Sequence, residues 1–354
     1  MTASFGVMAP ATDVVRTTVG DIEIVYDAIG QPTSPPVLLI SGMGAQLIDW
    51  HEDFCRELID RGLFVIRFDN RDVGLSSHLD GAVPPDLATA IDRDHWKSPY
   101  ALTDMAADAA ELIDNLGLGS AHVVGISLGG MIAQTLAIRH PAHVRSLTSI
   151  MSTTGHDQVG QPTEAAMALL VPPSVTTREE TIDRVVAFSR AVGSPTYPID
   201  EAEVRARAAR AFDRSFDPMG VARQMAAAFG ASDRSEGLGR LTVPTLVIHG
   251  AADPLIQVSG GQATAQAIPG ADLLVIDDMD TTYPDRFGRR LLNESPTLWP
   301  GPRRIGADGP RPRWPVGPVG LTQNPRIKRG GHRVHGDPCT PAVSQVRSSW
   351  CTLI

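Results

Sequence analysis

The chain has 354 residues, 42% hydrophobic and 20% charged, with a formal net charge of −9. That length can bury a large core, as one α/β domain or two smaller ones, and the composition reads as soluble and globular rather than fibrous or disordered. A membrane-spanning helix is excluded because no apolar run approaches the roughly 18 residues one needs. A disulfide or zinc framework is excluded because the three cysteines, Cys55, Cys339 and Cys351, are few and scattered. Met1–Thr12 has no basic segment leading into an apolar one, so no signal peptide is read and a cytoplasmic location is expected. Charge is unevenly spread: residues 280–354 carry 12 Lys+Arg against 5 Asp+Glu, net +7, leaving 19 basic and 35 acidic residues, net −16, in 1–279. Such asymmetry marks a terminal segment that differs from the body.

In chain order, Val14–Val19 and Ile22–Ala28 alternate as a hairpin turning at Gly20–Asp21. Pro36–Ile40 and Leu63–Phe68 are short, almost wholly apolar runs, the signature of strands covered on both faces of a parallel sheet. A helical stretch with Leu47, Trp50, Phe54, Leu58 and Ile59 lies between them. A long helix is predicted over Leu102–Leu116, and further strands over Ala121–Ile126, Val144–Ile150, Val243–Ile248 and Leu273–Ile276. This alternation predicts an α/β fold, a mostly parallel sheet flanked by helices. Between Met151 and Leu241 the alternation stops, and Ala165–Leu170, Arg178–Val192 and Glu201–Phe229 read as amphipathic helices. A separate small helical domain would look similar, but the sheet resumes afterwards, which favours an inserted lid.

The strand Ala121–Ile126 feeds Ser127, with Gly125 and Gly129 two residues to either side. Met131, Ile132, Leu136 and Ala137 follow at helical spacing. Strand, sharp turn and helix with G-x-S-x-G at the bend form a nucleophile elbow, which presents a serine hydroxyl beside the first amides of the helix. An ordinary Gly-Ser turn in a βα unit is the plainer alternative. A serine nucleophile needs a base, an acid to orient that base, and donors for the oxyanion. Asp253, in His249–Gly250–Ala251–Ala252–Asp253–Pro254 past a strand end, is the candidate acid; alternatively it caps a helix that starts at Pro254. The candidate oxyanion donors are the backbone amides of Leu128 and of Met43, the latter in the loop Ser41–Gly42–Met43–Gly44, which could equally be a plain glycine turn.

These stretches, with Phe68–Asp69–Asn70–Arg71–Asp72–Val73–Gly74–Leu75–Ser76, occur in an order that resembles the α/β-hydrolase fold superfamily over about Val14–Met279. Within it the likeness is to serine esterases and lipases, of the kind that resemble aclacinomycin methylesterase and the actinobacterial lipase/esterase group. The resemblance implies Ser127 as nucleophile, Asp253 as triad acid, and Leu128 and Met43 as oxyanion donors. It implies no metal or organic cofactor. The implied organisation is a core over 14–150 and 242–279 with a helical lid over 151–241. The partner is a small-molecule ester, with no nucleic acid and no membrane span.

One part of the pattern is missing. The family's histidine should follow the last strand, yet the chain reads Asp277–Asp278–Met279–Asp280–Thr281–Thr282–Tyr283–Pro284, and the next histidines are His332 and His335. The 75 residues of 280–354 hold 11 Pro, 9 Gly and 11 Arg without periodicity, which predicts a disordered tail. The whole chain has two lysines against 29 arginines, the mark of a GC-rich gene. With GC-rich codons and one G restored after the Met279 codon, the frame reads Met-Gly-His-Asp-Leu-Pro, a histidine turn and a helix start. Residues 280–354 are therefore expected to be out of frame, a natural basic tail being the alternative. Three functions follow: an ester hydrolase by descent that lacks its base, a non-catalytic binding protein on the same fold, or, least supported, a nucleic-acid or acidic-lipid contact through the basic tail.

Overall fold

The structure, a computed structural model, describes residues 14–79, 98–170, 177–193 and 199–277. All of them belong to one unit, Met1–Pro310. The tail from 280 onward, with His332 and His335, lies outside the described residues.

Eight strands form one sheet: β1 (Val15–Val19), β2 (Ile22–Ile29), β3 (Pro36–Ile40), β4 (Phe64–Phe68), β5 (Ala121–Ile126), β6 (Val144–Ile150), β7 (Thr245–Gly250) and β8 (Asp272–Ile276). The order across the sheet is β1-β2-β4-β3-β5-β6-β7-β8. β2 runs antiparallel to β1 and β4, and every other pairing is parallel. Every residue of β3 and β4 is buried, as their almost wholly apolar runs predict, with Arg67 of β4 paired to Asp27. Period-two alternation then splits the core. Leu38, Ile40, Ile66 and Val123 face a cluster with α2 (Leu102–Asn115) and α3 (Leu128–Arg139). Val37, Leu39, Val65 and Val124 face the other side, with Trp50 and with Cys55 and Leu58 of α1 (Glu52–Asp60).

β7 starts two residues later than its apolar run. Pro244 has no N–H for a ladder, and it enters only as an acceptor, from the Leu147 amide at 3.0 Å. The helices between β6 and β7 are α4 (Glu164–Leu170), α5 (Arg178–Ala191), α6 (Glu201–Arg214), α7 (Pro218–Phe229) and α8 (Ser235–Leu238). The run Glu201–Phe229 is two helices. Asp217 caps the second through the Met219 amide, with Pro218 at its first position. α5 opens on a capping box, in which the Thr177 hydroxyl accepts from the Glu180 amide while the Glu180 carboxylate accepts from the Thr177 amide. The last helix, α9 (Ser259–Ala267), lies between β7 and β8.

After β4 the chain makes a tight loop around Asp69, which is fully buried. Its Oδ1 accepts from the Leu47 amide at 2.8 Å and its Oδ2 from the Leu75 amide at 2.9 Å, and Arg214 of α6 pairs with it at 2.7 Å. One carboxylate thus ties the β3–α1 connection, the loop after β4 and an inserted helix together. Removing one member of a buried pair leaves the other charge unmatched. Asp69→Ala is expected to cost about 3–5 kcal/mol in urea unfolding; a loss below about 1 kcal/mol would show that these three segments hold together without it.

Candidate active site

Ser127 stands between the end of β5 and the first residue of α3, with φ +55° and ψ −119°. A non-glycine residue held there stores strain that surrounding contacts must oppose, about 1–3 kcal/mol. Those contacts are present: the Ser127 amide donates to Ile150 O at 2.9 Å, and its carbonyl accepts from the Gly130 and Met131 amides and from the Ser152 hydroxyl. The flanking glycines answer to space. A Cβ on Gly125 would overlap the Gly129 carbonyl, and one on Gly129 would overlap the Ile40 carbonyl. The start of α3 therefore rests directly on the ends of β5 and β3.

The loop after β3 passes over the serine. A Cβ built on Gly42 would stand 3.5 Å from Ser127 Cβ and 4.0 Å from its Oγ. This loop is held from several sides. Asn70 Nδ2 donates to Ser41 O at 3.2 Å, Gln224 of α7 accepts from the Gly44 amide at 2.9 Å, and Asp49 accepts from the Gln46 amide at 2.7 Å. Among the described residues, neither the Leu128 amide nor the Met43 amide has a hydrogen-bond acceptor. Gly42, Met43, Ser127 and Leu128 together line a cavity of about 530 Å³ that runs under the inserted helices. Val185, Phe188 and Phe212 give its far wall a largely apolar character.

Asp253 lies past the end of β7 and is buried. Its Oδ1 accepts from the Leu255 and Ile256 amides, each at 2.9 Å. It organises a turn and caps no helix there, since α9 begins only at Ser259; the capping alternative with Pro254 at a first helical position is not what forms. β8 ends beside this turn, where the Ala251 amide donates to Ile276 O at 3.0 Å.

The family model for the alpha/beta hydrolase fold matches residues 35–280. The chain belongs to that family. Rhodomycin D methylesterase DnrP of Streptomyces peucetius is 29% identical over 287 residues, spanning 75% of this chain and 90% of that protein. The 3-oxoadipate enol-lactonase 2 of Acinetobacter baylyi is 26% identical over 260 residues, spanning 73% of this chain and 87% of that protein. Among solved structures, the esterase RhEst1 from Rhodococcus sp. ECU1013 superposes with a TM-score of 0.60 at 21% identity, over 81% of this chain and all of that one. At that identity the superposition speaks for the fold.

Seven of this hydrolase-fold chain's ten histidines are described, and each is engaged away from Ser127. His249 is fully buried and donates through Nε2 to Ile256 O at 2.7 Å, with Asp253 Oδ2 3.7 Å from the same nitrogen; burial lowers its pKa. His122 bonds Ser146, and burial with Arg145 nearby brings its pKa down to about 4. His51 faces Glu203, and His143 packs on His140 and bonds Asp114. His156 lines the cavity, but its Nδ1 accepts from the Gln158 amide and lies 3.3 Å from Asp157.

His78 also lines the cavity, and both its ring nitrogens face acceptors: Nδ1 lies 2.7 Å from Asp217 Oδ2 and Nε2 3.0 Å from Gly74 O. Arg223 of α7 forks onto Asp72 at 2.8 and 2.9 Å and reaches Asp217 at 3.1 Å. Asp72, His78 and Asp217 are close enough to chelate a cation. Arg223 already supplies the positive charge between the two carboxylates, so a metal ion there would meet like charge. Sequence reasoning singled out the Asp69–Ser76 stretch but not this network. Its only local signal is the Asp217–Pro218 helix start, and nothing in the sequence joins Arg223 or Gln224 to the loops they hold.

The histidines set opposite pH dependences. Burial works against charge on His78, but the Gly74 carbonyl and the Asp217 carboxylate outweigh it and hold its pKa above the ordinary 6.5. Its contribution is complete below 6.5 and is lost as pH rises through the raised value. His122 and His249, held below 6.5, contribute fully above it and lose that contribution as pH falls through their lowered values, about 4 for His122. Stability from urea unfolding is expected to peak near pH 6.5, and His78→Asn is expected to flatten the alkaline limb while leaving the acid limb. An unchanged alkaline limb in that variant would remove His78 from this role.

Proposed function

We propose that this chain is by descent a serine hydrolase of carboxylic esters. In this reading Ser127 is the nucleophile, the Leu128 and Met43 amides receive the oxyanion, Asp253 is the triad acid, and the inserted helices are a lid over the acyl pocket. The observation that carries it is the pair of acceptor-free amides in the cavity beside a serine held at positive φ. Attack by Ser127 Oγ on an ester carbonyl makes a tetrahedral oxyanion, and preorganised N–H donors facing that point stabilise it without reorganisation. The likeness to a methylesterase and an enol-lactonase agrees with an ester or lactone carbonyl as the reacting group. The apolar far wall suits acyl or ring groups.

The serine still needs a base. β8 ends at Ile276, whose carbonyl accepts from the Ala251 amide in the turn leading to Asp253, and the triad histidine of the family is expected soon after that strand. At that point the sequence as given reads Asp278–Met279–Asp280–Thr281, outside the described residues, and the frame restored by one base reads Gly-His-Asp. We therefore read 280–354 as out of frame and the chain as given as a poor catalyst. A non-catalytic binding role is the second reading, favoured by that same missing histidine.

Two measurements bear on this. A frame-restored version is expected to hydrolyse p-nitrophenyl esters with kcat/KM about 10³-fold or more above the chain as given, and Ser127→Ala in it to lose about 10⁴- to 10⁶-fold while remaining folded. Equal turnover in the restored and given chains would show that another group acts as base. A Ser127→Ala enzyme keeping more than about a tenth of parental activity would remove Ser127 from the nucleophile role.

A further inference from the structure

Among the described residues, the acids lining the cavity are each matched by a positive group. Asp72 is held by Arg223, Asp217 by Arg223 and His78, and Asp49 faces Arg207 at 3.7 Å. Arg184 is different. It lines the cavity from α5, on the same helical face as Thr181, Val185 and Phe188, and is half-buried. Among the described residues it makes no hydrogen bond and no ion pair. The acids along its helix are committed elsewhere: Glu179 to Arg178, Glu180 to the cap of its own helix, and Asp183 to Arg205. Burial lowers its pKa, with no acid set against that effect.

A half-buried guanidinium without a counter-charge among the described residues, beside Val185 and Phe188, costs desolvation that none of those residues offsets. Arginine presents a planar fork of donors that matches a carboxylate in two parallel hydrogen bonds. The requirement is met if the ligand brings the charge. We propose that Arg184 is a specificity-determining residue that pairs with a carboxylate on the substrate, remote from the scissile ester, so that the cavity takes acid-bearing esters. This rests on the reading of the cavity as the ester-binding site. Arg184 sits on the inserted helices and Ser127 on the sheet, so the two groups would grip opposite ends of one ligand. The apolar wall would hold what lies between.

The test uses a ketone in place of the ester, so that nothing turns over. Binding of a phenyl ketone carrying a terminal carboxylate is compared by calorimetry with the same ketone carrying a terminal carboxamide. The proteins are the full chain, Arg184→Met and Arg184→Lys, with Ser127 labelling by a fluorophosphonate measured alongside. The carboxylate is expected to bind about ten-fold or more tightly than the amide, with a preference that weakens in salt, shrinks in Arg184→Lys and vanishes in Arg184→Met. Equal affinity for the two ketones, or no binding of either, overturns the proposal in the unmodified chain whether or not the variants fold. A preference that survives in folded Arg184→Met overturns it as well. Failure here with Ser127 still labelled leaves the serine-hydrolase reading standing. A preference that depends on Arg184 while Ser127 resists labelling supports the acid-binding cavity and counts against that reading.

Discussion

The site depends on one close approach. The backbone of Gly129 lies against the Ile40 carbonyl, and Gly125 against the Gly129 carbonyl, so the first turn of α3 is pressed onto the ends of two adjacent parallel strands. No side chain fits in either gap. Because of that contact, the strand-end serine is lifted into a positive φ and the loop after β3 passes beside it. Leu128 and Met43 line the same cavity, and their amides have no acceptor among the described residues. In the proposed reading such amides would receive the developing negative charge.

Around this contact the molecule uses buried charge as a set of struts. Asp69, Asp72 and Arg67 leave the buried β4 segment and the loop that follows it, and each finds a counter-charge from another element: Arg214, Arg223 and Asp27 in turn. Such pairs add little net stability over an apolar equivalent, because desolvation consumes most of the attraction, but breaking one is severe. Here they set where α6 and α7 stand relative to the sheet, and through Gln224 they steady the loop that holds Met43. The inserted helices are thus fastened to the sheet through α6 and α7, while α5 brings Arg184 to the cavity lining.

Among the described residues no imidazole bonds to Ser127. His51, His78 and His143 face carboxylates, His122 bonds the Ser146 hydroxyl, and His249, four residues before Asp253, is buried and donates to a carbonyl. The residues that follow Asp277 lie outside the described residues, and the proposed chemistry turns on their identity.

Much of the scaffold was legible in the sequence. Period-two and unbroken apolar runs located the strands because burial on one face or two imposes those patterns directly. The glycines around Ser127 announced the elbow because only they tolerate the contact made there. The tertiary structure alone decided the rest. It decided that Asp253 organises a turn and caps no helix, that Glu201–Phe229 breaks into two helices, and that Arg223 and Gln224 reach back across about 150 residues of chain to Asp72 and Arg71. It also decided that Arg184, one of 29 arginines, is the cavity cation without a partner among the described residues. Strand pattern, glycine contact and helix cap are written in neighbouring residues, whereas the pairing of charges depends on which distant elements the packed core brings within hydrogen-bonding distance.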